Sequence, residues 1–337
     1  MRILYDPAPR RTDEIFSKED KVRLFSEHDV VEVDPANRDA FYARHLPDSD
    51  ILIGQQPMDR RRLGIASRLR AIFNVETNFL PNIDYSACFE RGIHVLTPAS
   101  VFAVPVAEMG LGMALSLSRN IHGAHHDFLA GREKYGLEGN RQAELLSGSR
   151  IGLVGFGDLG RALHRLLLPF RATIRVYDPW LPDEFVRRQG VEPASLEETL
   201  RESRVVFVLA AVTQQNLKLI NRETLAMMPN GAILVLLSRA AVADFAALAD
   251  EARRGRLRIG TDVFPEEPVP QDDPIREVPG ILFSPHRAGA LTSALEQIGA
   301  LVLEDLSQIS RNLPPVSCRR AERETVGLLR SMPVAAS

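Results

Sequence analysis

Through the first hundred residues, short apolar runs alternate with longer stretches whose apolar positions recur every three or four residues. Ile3–Tyr5, Val30–Val33, Ile51–Ile53, Ala71–Val75 and Ile93–Leu96 are the apolar runs, and each is expected to be a buried strand. The segments between them carry helical patterns or turn residues, which is the βαβ rhythm of an open parallel sheet. Ligands of such sheets bind at the carboxyl ends of the strands. The loops Asp6–Arg10, Gly54–Pro57 and Glu76–Asn82 are therefore the ones to inspect.

Thr97-Pro98 breaks this rhythm, and Pro105 suits the first turn of a helix. That helix is rich in small residues: Ala107, Gly110, Gly112, Ala114, Ser116 and Ser118. Small side chains allow close approach of another backbone, so the stretch is expected to cross between domains and to lie in a subunit contact. His122, His125 and His126 share one helical face, but no carboxylate follows at a metal-binding offset, and a solvated helix end is expected. Residues 131–148 are polar and glycine-bearing and are expected as a loop.

The next apolar run, Ile151–Val154, leads into Gly155, Gly157 and Gly160, spaced G-x-G-x-x-G. Ala162, Leu163, Leu166 and Leu167 follow at helical spacing, and a second run, Ile174–Tyr177, ends in Asp178. Strand, glycine turn, helix, strand and acid in this order are the dinucleotide fingerprint. Gly155 permits the tight turn, Gly157 lets the backbone approach a pyrophosphate, and Gly160 lets helix and strand pack closely. The Asp178 carboxylate accepts hydrogen bonds from a ribose diol and repels a 2′-phosphate, which predicts NAD rather than NADP. Further strands are expected at Val205–Ala210, Ala232–Leu237, Arg258–Phe264 and Gly280–Phe283, with a helix over Asp244–Arg254. They make a six- or seven-stranded doubly wound domain. From Leu291 to about Arg311 the pattern is helical and is expected to return to the first domain, and the last 20 or so residues are expected to be loosely ordered.

Composition narrows the class without changing this picture. The 337 residues suit two domains, and 45% hydrophobic and 25% charged residues are those of a globular protein. A net charge of −3 implies no strong pull on nucleic acid or anionic membrane. The arginine clusters Arg60–Arg62 and Arg253–Arg258 are expected as solvated faces. Cys88 and Cys318 lack metal spacing, which suits a reduced cytoplasmic protein. The N-terminal MRILYDPAPRR lacks a signal-peptide pattern, and no apolar run is expected to span a bilayer.

Three chemically capable residues follow strand patterns of the second domain: Arg239 after ILVLLS, Glu267 in GTDVFPEEP and His286 after ILFSP. Their placement puts all three on the rim that carries the dinucleotide. An arginine fork can hold the carboxylate and carbonyl of a 2-oxo acid. When hydride from a reduced nicotinamide reaches the carbonyl carbon, a histidinium can protonate the oxygen. A carboxylate beside that histidine stabilises its protonated form and fixes its orientation. No metal is needed.

These motifs together resemble the D-isomer-specific 2-hydroxyacid dehydrogenase family over roughly residues 45–305. The matching segments are VAEMGLGMALSLSRN, GSRIGLVGFGDLGRAL, VYDP, INRETLAMMPNGAILVLLSRA, GTDVFPEEP and FSPHRAG. The resemblance implies two doubly wound α/β domains. One is a flavodoxin-like substrate domain over 1–98 plus 291–337, and the other a Rossmann NAD-binding domain over 99–290. It implies Arg239 as the substrate-binding arginine, Glu267 as the acid paired with histidine, and His286 as the acid/base. Cofactor contacts are implied at Gly155, Phe156, Gly157, Asp158, Leu159, Gly160, Asp178, Ala210, Ala211, Ser238 and Asp262, and at His286 itself. NAD is the implied cofactor, and a homodimer through the 100–130 helical segment the implied assembly.

The departures bear on the substrate. Where the family carries a glycine-rich loop like GAGVDNID, this chain has VETNFLPNID, with Glu76, Thr77, Asn78 and Phe79 in place of small residues. Arg287 follows the histidine where a small or apolar residue is common. Leu236 replaces an asparagine and Ala240 a glycine around Arg239, and LAAVTQQN lacks a family proline. Glu76, Thr77, Asn78, Arg239 and Arg287 are the expected substrate contacts, and Asn78 and Arg287 are expected to select an acid larger or more polar than glyoxylate. The alternatives are the same scaffold with a formate or phosphite donor, and an NAD(H)-sensing binding protein. Glu267 speaks against the formate type, which pairs its histidine with glutamine.

Overall fold

The computed structural model describes residues 1–76 and 78–328. The chain divides into two compact units, Met1–Phe102 with Ala290–Ser337, and Ala103–Gly289.

In the first unit, β1 (Arg2–Asp6), β2 (Asp29–Glu32), β3 (Ile51–Gly54), β4 (Ala71–Phe73) and β5 (His94–Thr97) pair in parallel, in the order β5-β4-β3-β1-β2. This is the flavodoxin-like order, whose direction of winding reverses between β1 and β3. Alternate residues feed two cores, as period-two side chains must. Ile3, Tyr5, Ile51, Ile53 and Phe73 pack with Ile298, Val302 and Leu306 of the helix Gln297–Ser310, while Leu4, Leu52, Ile72 and Val95 pack with Tyr42, Leu46 and Leu63 on the other face. At Gly299 no side chain would fit, because a methyl there would run into Phe16.

The second unit holds seven parallel strands: β6 (Arg150–Val154), β7 (Thr173–Tyr177), β8 (Glu192–Pro193), β9 (Val205–Val208), β10 (Ile233–Leu236), β11 (Arg258–Thr261) and β12 (Ile281–Phe283). Their order is β12-β11-β10-β9-β6-β7-β8, which is the Rossmann arrangement with its reversal between β6 and β9. The helix Ala103–Arg119 packs on this sheet through its small residues. Gly110 faces Leu237 and Phe207, and Met113 and Leu117 lie over Gly260.

Several expectations need correction. The first sheet gains a sixth strand, β13 (Arg319–Arg320), antiparallel to β5, in a segment expected to be loosely ordered. Its residues are polar and exposed, so no pattern announces it. It is held by Asp305, whose fully buried carboxylate accepts the backbone N–H groups of Val316, Ser317 and Cys318 at 2.7, 2.9 and 2.8 Å. The two-residue β8 is too short to register as a pattern. The small-residue helix stops where Asn120 turns left-handed (φ 49°), and a second helix, Ile121–Leu129, carries the histidines. Residues 131–148 include one helical turn, Gly136–Gly139. The stretch Ala99–Arg119 is, at 21 residues, long and apolar enough to cross a membrane by length and composition, contrary to expectation. Its packing on the second sheet accounts for the apolar face. The arginine cluster Arg253–Arg258 is not wholly a solvated face. Arg256 binds the carbonyls of Leu225 and Met228, and Arg258 those of Leu117 and Gly231.

Candidate active site

The glycine turn after β6 is built as close packing requires. Gly155 has φ +97°, and a methyl on it would come within 2.6 Å of the Ala210 nitrogen. A methyl on Gly160 would lie 2.6 Å from the Gly155 carbonyl oxygen, at the crossing of helix and strand. At Gly157 a methyl would meet nothing within 4 Å, so the space in front of this backbone is open. The helix Asp158–Leu167 begins there, and its first N–H groups have no partner within the helix. Leu159 lies in that first turn. An open glycine at the start of a ten-residue helix fits a pyrophosphate.

Asp178 follows β7 with both oxygens engaged. Oδ2 accepts the Phe156 N–H at 2.8 Å and Oδ1 the Trp180 N–H at 3.0 Å. The acid therefore braces the glycine turn while its remaining lone pairs stay available to a ribose diol. Arg161, which the fingerprint did not single out, donates to Asp158 at 2.8 Å and offsets that acid's charge at the start of the helix. Its signal was the i, i+3 spacing from Asp158. Across the reversal point, Ala210 lines Gly155, and the Ala211 carbonyl accepts from Asn216 at 2.7 Å. Ser238 Oγ, two residues past β10, is buried without a hydrogen-bond partner, which suits a contact supplied by a bound group.

Arg239 follows directly, its Nη1 donating to the Ser238 carbonyl at 2.7 Å. Burial lowers its pKa from the ordinary guanidinium range, and the nearby Glu267 carboxylate opposes that shift. Glu267 is held at both ends: Oε1 accepts the Phe264 N–H at 2.8 Å, and Oε2 lies 2.5 Å from His286 Nδ1. That contact leaves Nε2 as the ring nitrogen directed away from the acid. The three residues singled out in the sequence thus meet in one unit.

His286 has φ 47°, a left-handed conformation uncommon for a side-chain-bearing residue. Asp262 closes the turn around it. Its carboxylate, 2% exposed, accepts from Ser284 Oγ at 2.5 Å, from Arg287 N–H at 3.0 Å and from Ala288 N–H at 3.0 Å. Asp262 thereby grips the residues before and after the histidine. The Arg287 side chain is exposed.

In the first unit, Glu76 forms an ion pair with Arg10 Nε at 3.0 Å, and its N–H donates to Asn74 Oδ1 at 3.3 Å. Thr77 lies outside the described residues. Asn78 is half-buried, whereas Phe79 turns inward to the core with Ile83 and Leu69 rather than shaping a pocket. Both cysteines are buried and free, and burial pushes the Cys88 thiol up to about 12. Among the described residues no group of three His, Cys, Asp or Glu side chains is placed to hold a metal ion.

Residues 111–288 match the family described as D-isomer specific 2-hydroxyacid dehydrogenase, NAD binding domain. The chain is 48% identical to a phosphoglycerate oxidoreductase from Rhizobium etli, whose crystal structure superposes with a TM-score of 0.89 over 96% of this chain and 99% of that one. It is 29% identical over 275 residues to a glyoxylate reductase of Korarchaeum cryptofilum, covering 80% of this chain and 82% of the relative. It is 27% identical over 301 residues to a D-3-phosphoglycerate dehydrogenase of Methanocaldococcus jannaschii, covering 87% of this chain but spanning only 56% of that relative's length.

Proposed function

The chain belongs to the D-isomer-specific 2-hydroxyacid dehydrogenase family, and from that premise we propose that it interconverts a small 2-oxo acid and the D-2-hydroxy acid with NAD(H). The observation that carries the proposal is the His286–Glu267 pair, 2.5 Å apart, in the same unit as Arg239 and the glycine turn.

The cofactor, when bound as NADH, supplies the hydride that reaches the substrate's carbonyl carbon. Gly157 and the helix start would hold its pyrophosphate, and Asp178 its ribose. Arg239 holds the substrate carboxylate and carbonyl with its planar fork, and its burial strengthens that contact. His286 hands the Nε2 proton to the carbonyl oxygen as charge develops there. Glu267 holds the ring by Nδ1 and stabilises the imidazolium. In the opposite direction Nε2 takes the hydroxyl proton.

Asn78 and Arg287 select an acid larger or more polar than glyoxylate. The assembly is a homodimer through the 100–130 segment, whose helix Ile121–Leu129 leaves Ile121, Phe128 and Leu129 at 57%, 61% and 71% exposure. Light scattering on the purified protein tests this, and a monomer at micromolar concentration refutes it. The two free cysteines suit a reducing compartment such as the cytoplasm.

The test of the reaction is NADH oxidation across a panel from glyoxylate and hydroxypyruvate to phosphohydroxypyruvate and branched or aromatic 2-oxo acids. Turnover on one member is expected, with a loss of about a thousandfold or more in His286→Ala. Equal turnover in that variant refutes the mechanism. NADH binding without turnover favours a sensing role.

A further inference from the structure

The C-terminal segment does more than close the first sheet. Asp305 pins residues 316–318, and β13 then runs antiparallel to β5, with Arg319 opposite Thr97 and Arg320 opposite Leu96. The Ala321 N–H continues the ladder, donating to the Val95 carbonyl at 2.9 Å. Side chains of this short segment enter both cores of the unit. Cys318 is buried with Ile53 and Phe73, and Ala321 with Phe79, Ile83 and Ala87.

Thr97 is the last residue of β5, so Arg319 stands at the carboxyl end of the sheet. Its guanidinium lies over the Phe79 ring, 5.9 Å from the centroid, and Arg323 lies over Phe89 at 5.4 Å. Both arginines are exposed, and among the described residues neither forms an ion pair. Their charges are instead set on two rings of one segment, the loop after β4 and the helix Tyr85–Glu90. Phe79 in turn meets Tyr85 edge to face, with centroids 6.4 Å apart, and the Tyr85 hydroxyl donates to the Leu80 carbonyl at 2.6 Å. A shift of the Phe79 ring is therefore passed to the loop backbone. Across the loop, the Met58 N–H donates to the Asn82 carbonyl at 2.7 Å, and the Asp84 N–H to the Met58 carbonyl at 2.9 Å. Where the family carries a small residue in place of Phe79, a cation has no ring to hold, so this contact belongs to the loop of this chain.

We propose that Arg319 is a positioning residue, which fixes Phe79 and through it the neighbouring Asn78 that contacts the substrate. This rests on the 2-hydroxyacid dehydrogenase reading, and adds to it a residue from the C-terminal segment.

The experiment uses Arg319→Ala and Arg319→Lys in the full chain. Lysine keeps a cation for the ring, and alanine removes it. Hydrogen exchange at the Met58 and Asp84 amides reads the loop without any ligand, and the amides of β3 are the control. In Arg319→Ala both loop amides are expected to exchange about two- to fivefold faster with β3 unchanged, and in Arg319→Lys to stay near the wild-type rate. Kinetics read the consequence with whichever of glyoxylate, hydroxypyruvate and phosphohydroxypyruvate the wild type reduces fastest. Arg319→Ala is expected to raise KM about two- to fivefold with kcat and the NADH dissociation constant held, and Arg319→Lys to restore it. Loop exchange that is unmoved, or equally fast in both variants, overturns the proposal. So does faster exchange with KM unmoved, or a fall in kcat with KM held. Should the wild type reduce none of the three acids, the reaction reading falls and the exchange rates alone decide. Faster exchange in alanine that lysine restores then sustains Arg319 as the brace of this loop, and unmoved exchange refutes it.

Discussion

Asp262 offers the sharpest test of how the histidine is positioned. Its carboxylate takes three donors, from Ser284, Arg287 and Ala288, and so closes the turn that holds His286 at φ 47°. In Asp262→Asn the best amide orientation keeps Oδ1 on Ser284 and Arg287 and sets an NH2 against the Ala288 N–H. One hydrogen bond to a charged acceptor is lost and two donors face each other, at a cost of about 2–3 kcal/mol. For a unit of this size that lowers Tm by roughly 4–12 °C, read by calorimetry. The left-handed histidine itself costs on the order of 1–3 kcal/mol, so a loosened clamp lets it relax away from Glu267. Converted at 1.36 kcal/mol per tenfold, kcat falls by at most about 30- to 150-fold. The NADH dissociation constant, measured by fluorescence titration, should move by less than about threefold, because the carboxylate, 2% exposed, is turned onto these three donors. If NADH affinity carries the whole loss and kcat holds, Asp262 is a cofactor contact and not a positioning residue.

Three further changes probe other parts of the molecule. Gly155→Ala sets a methyl 2.6 Å from the Ala210 nitrogen, and it should weaken NADH binding by about tenfold or more; unaltered binding would mean that the turn is not the pyrophosphate site. Asp178→Ala removes the charge that repels a 2′-phosphate, and the kcat/KM ratio of NADPH to NADH should rise by about tenfold or more; a constant ratio would show that another group sets the preference. Asp305→Ala strips the acceptor from three backbone N–H groups, and the first unit should lose about 3–5 kcal/mol in urea denaturation; a loss below about 1 kcal/mol would show that β13 does not depend on it.

The glycine fingerprint, the strand rhythm and the residues Arg239, Glu267 and His286 were legible in the chain itself, because each follows from local rules. Apolar runs bounded by turns make strands, a glycine triplet before a helical pattern makes an anion turn, and strand ends carry the chemistry. Local rules fail where a residue's role depends on groups distant in sequence. Asp262 is a cofactor contact by resemblance, and nothing local shows that residues 284, 287 and 288 donate to its two oxygens. Phe79 stands where the family has a small residue, and only the fold turns it into the core. Asp305 lies on a helix and gives no hint that it captures a strand beginning 14 residues later. Arg319 lies in a segment with no pattern, and only the pairing of β13 with β5 sets it over Phe79. Sequence alone determined most of the elements, the glycine turn and the position of Arg239, Glu267 and His286 after strands, since these depend on neighbours a few residues away. Tertiary structure decided which buried acids act as clamps and where polar atoms are left unmatched, since a hydrogen bond is specified by position in space and not by separation along the chain.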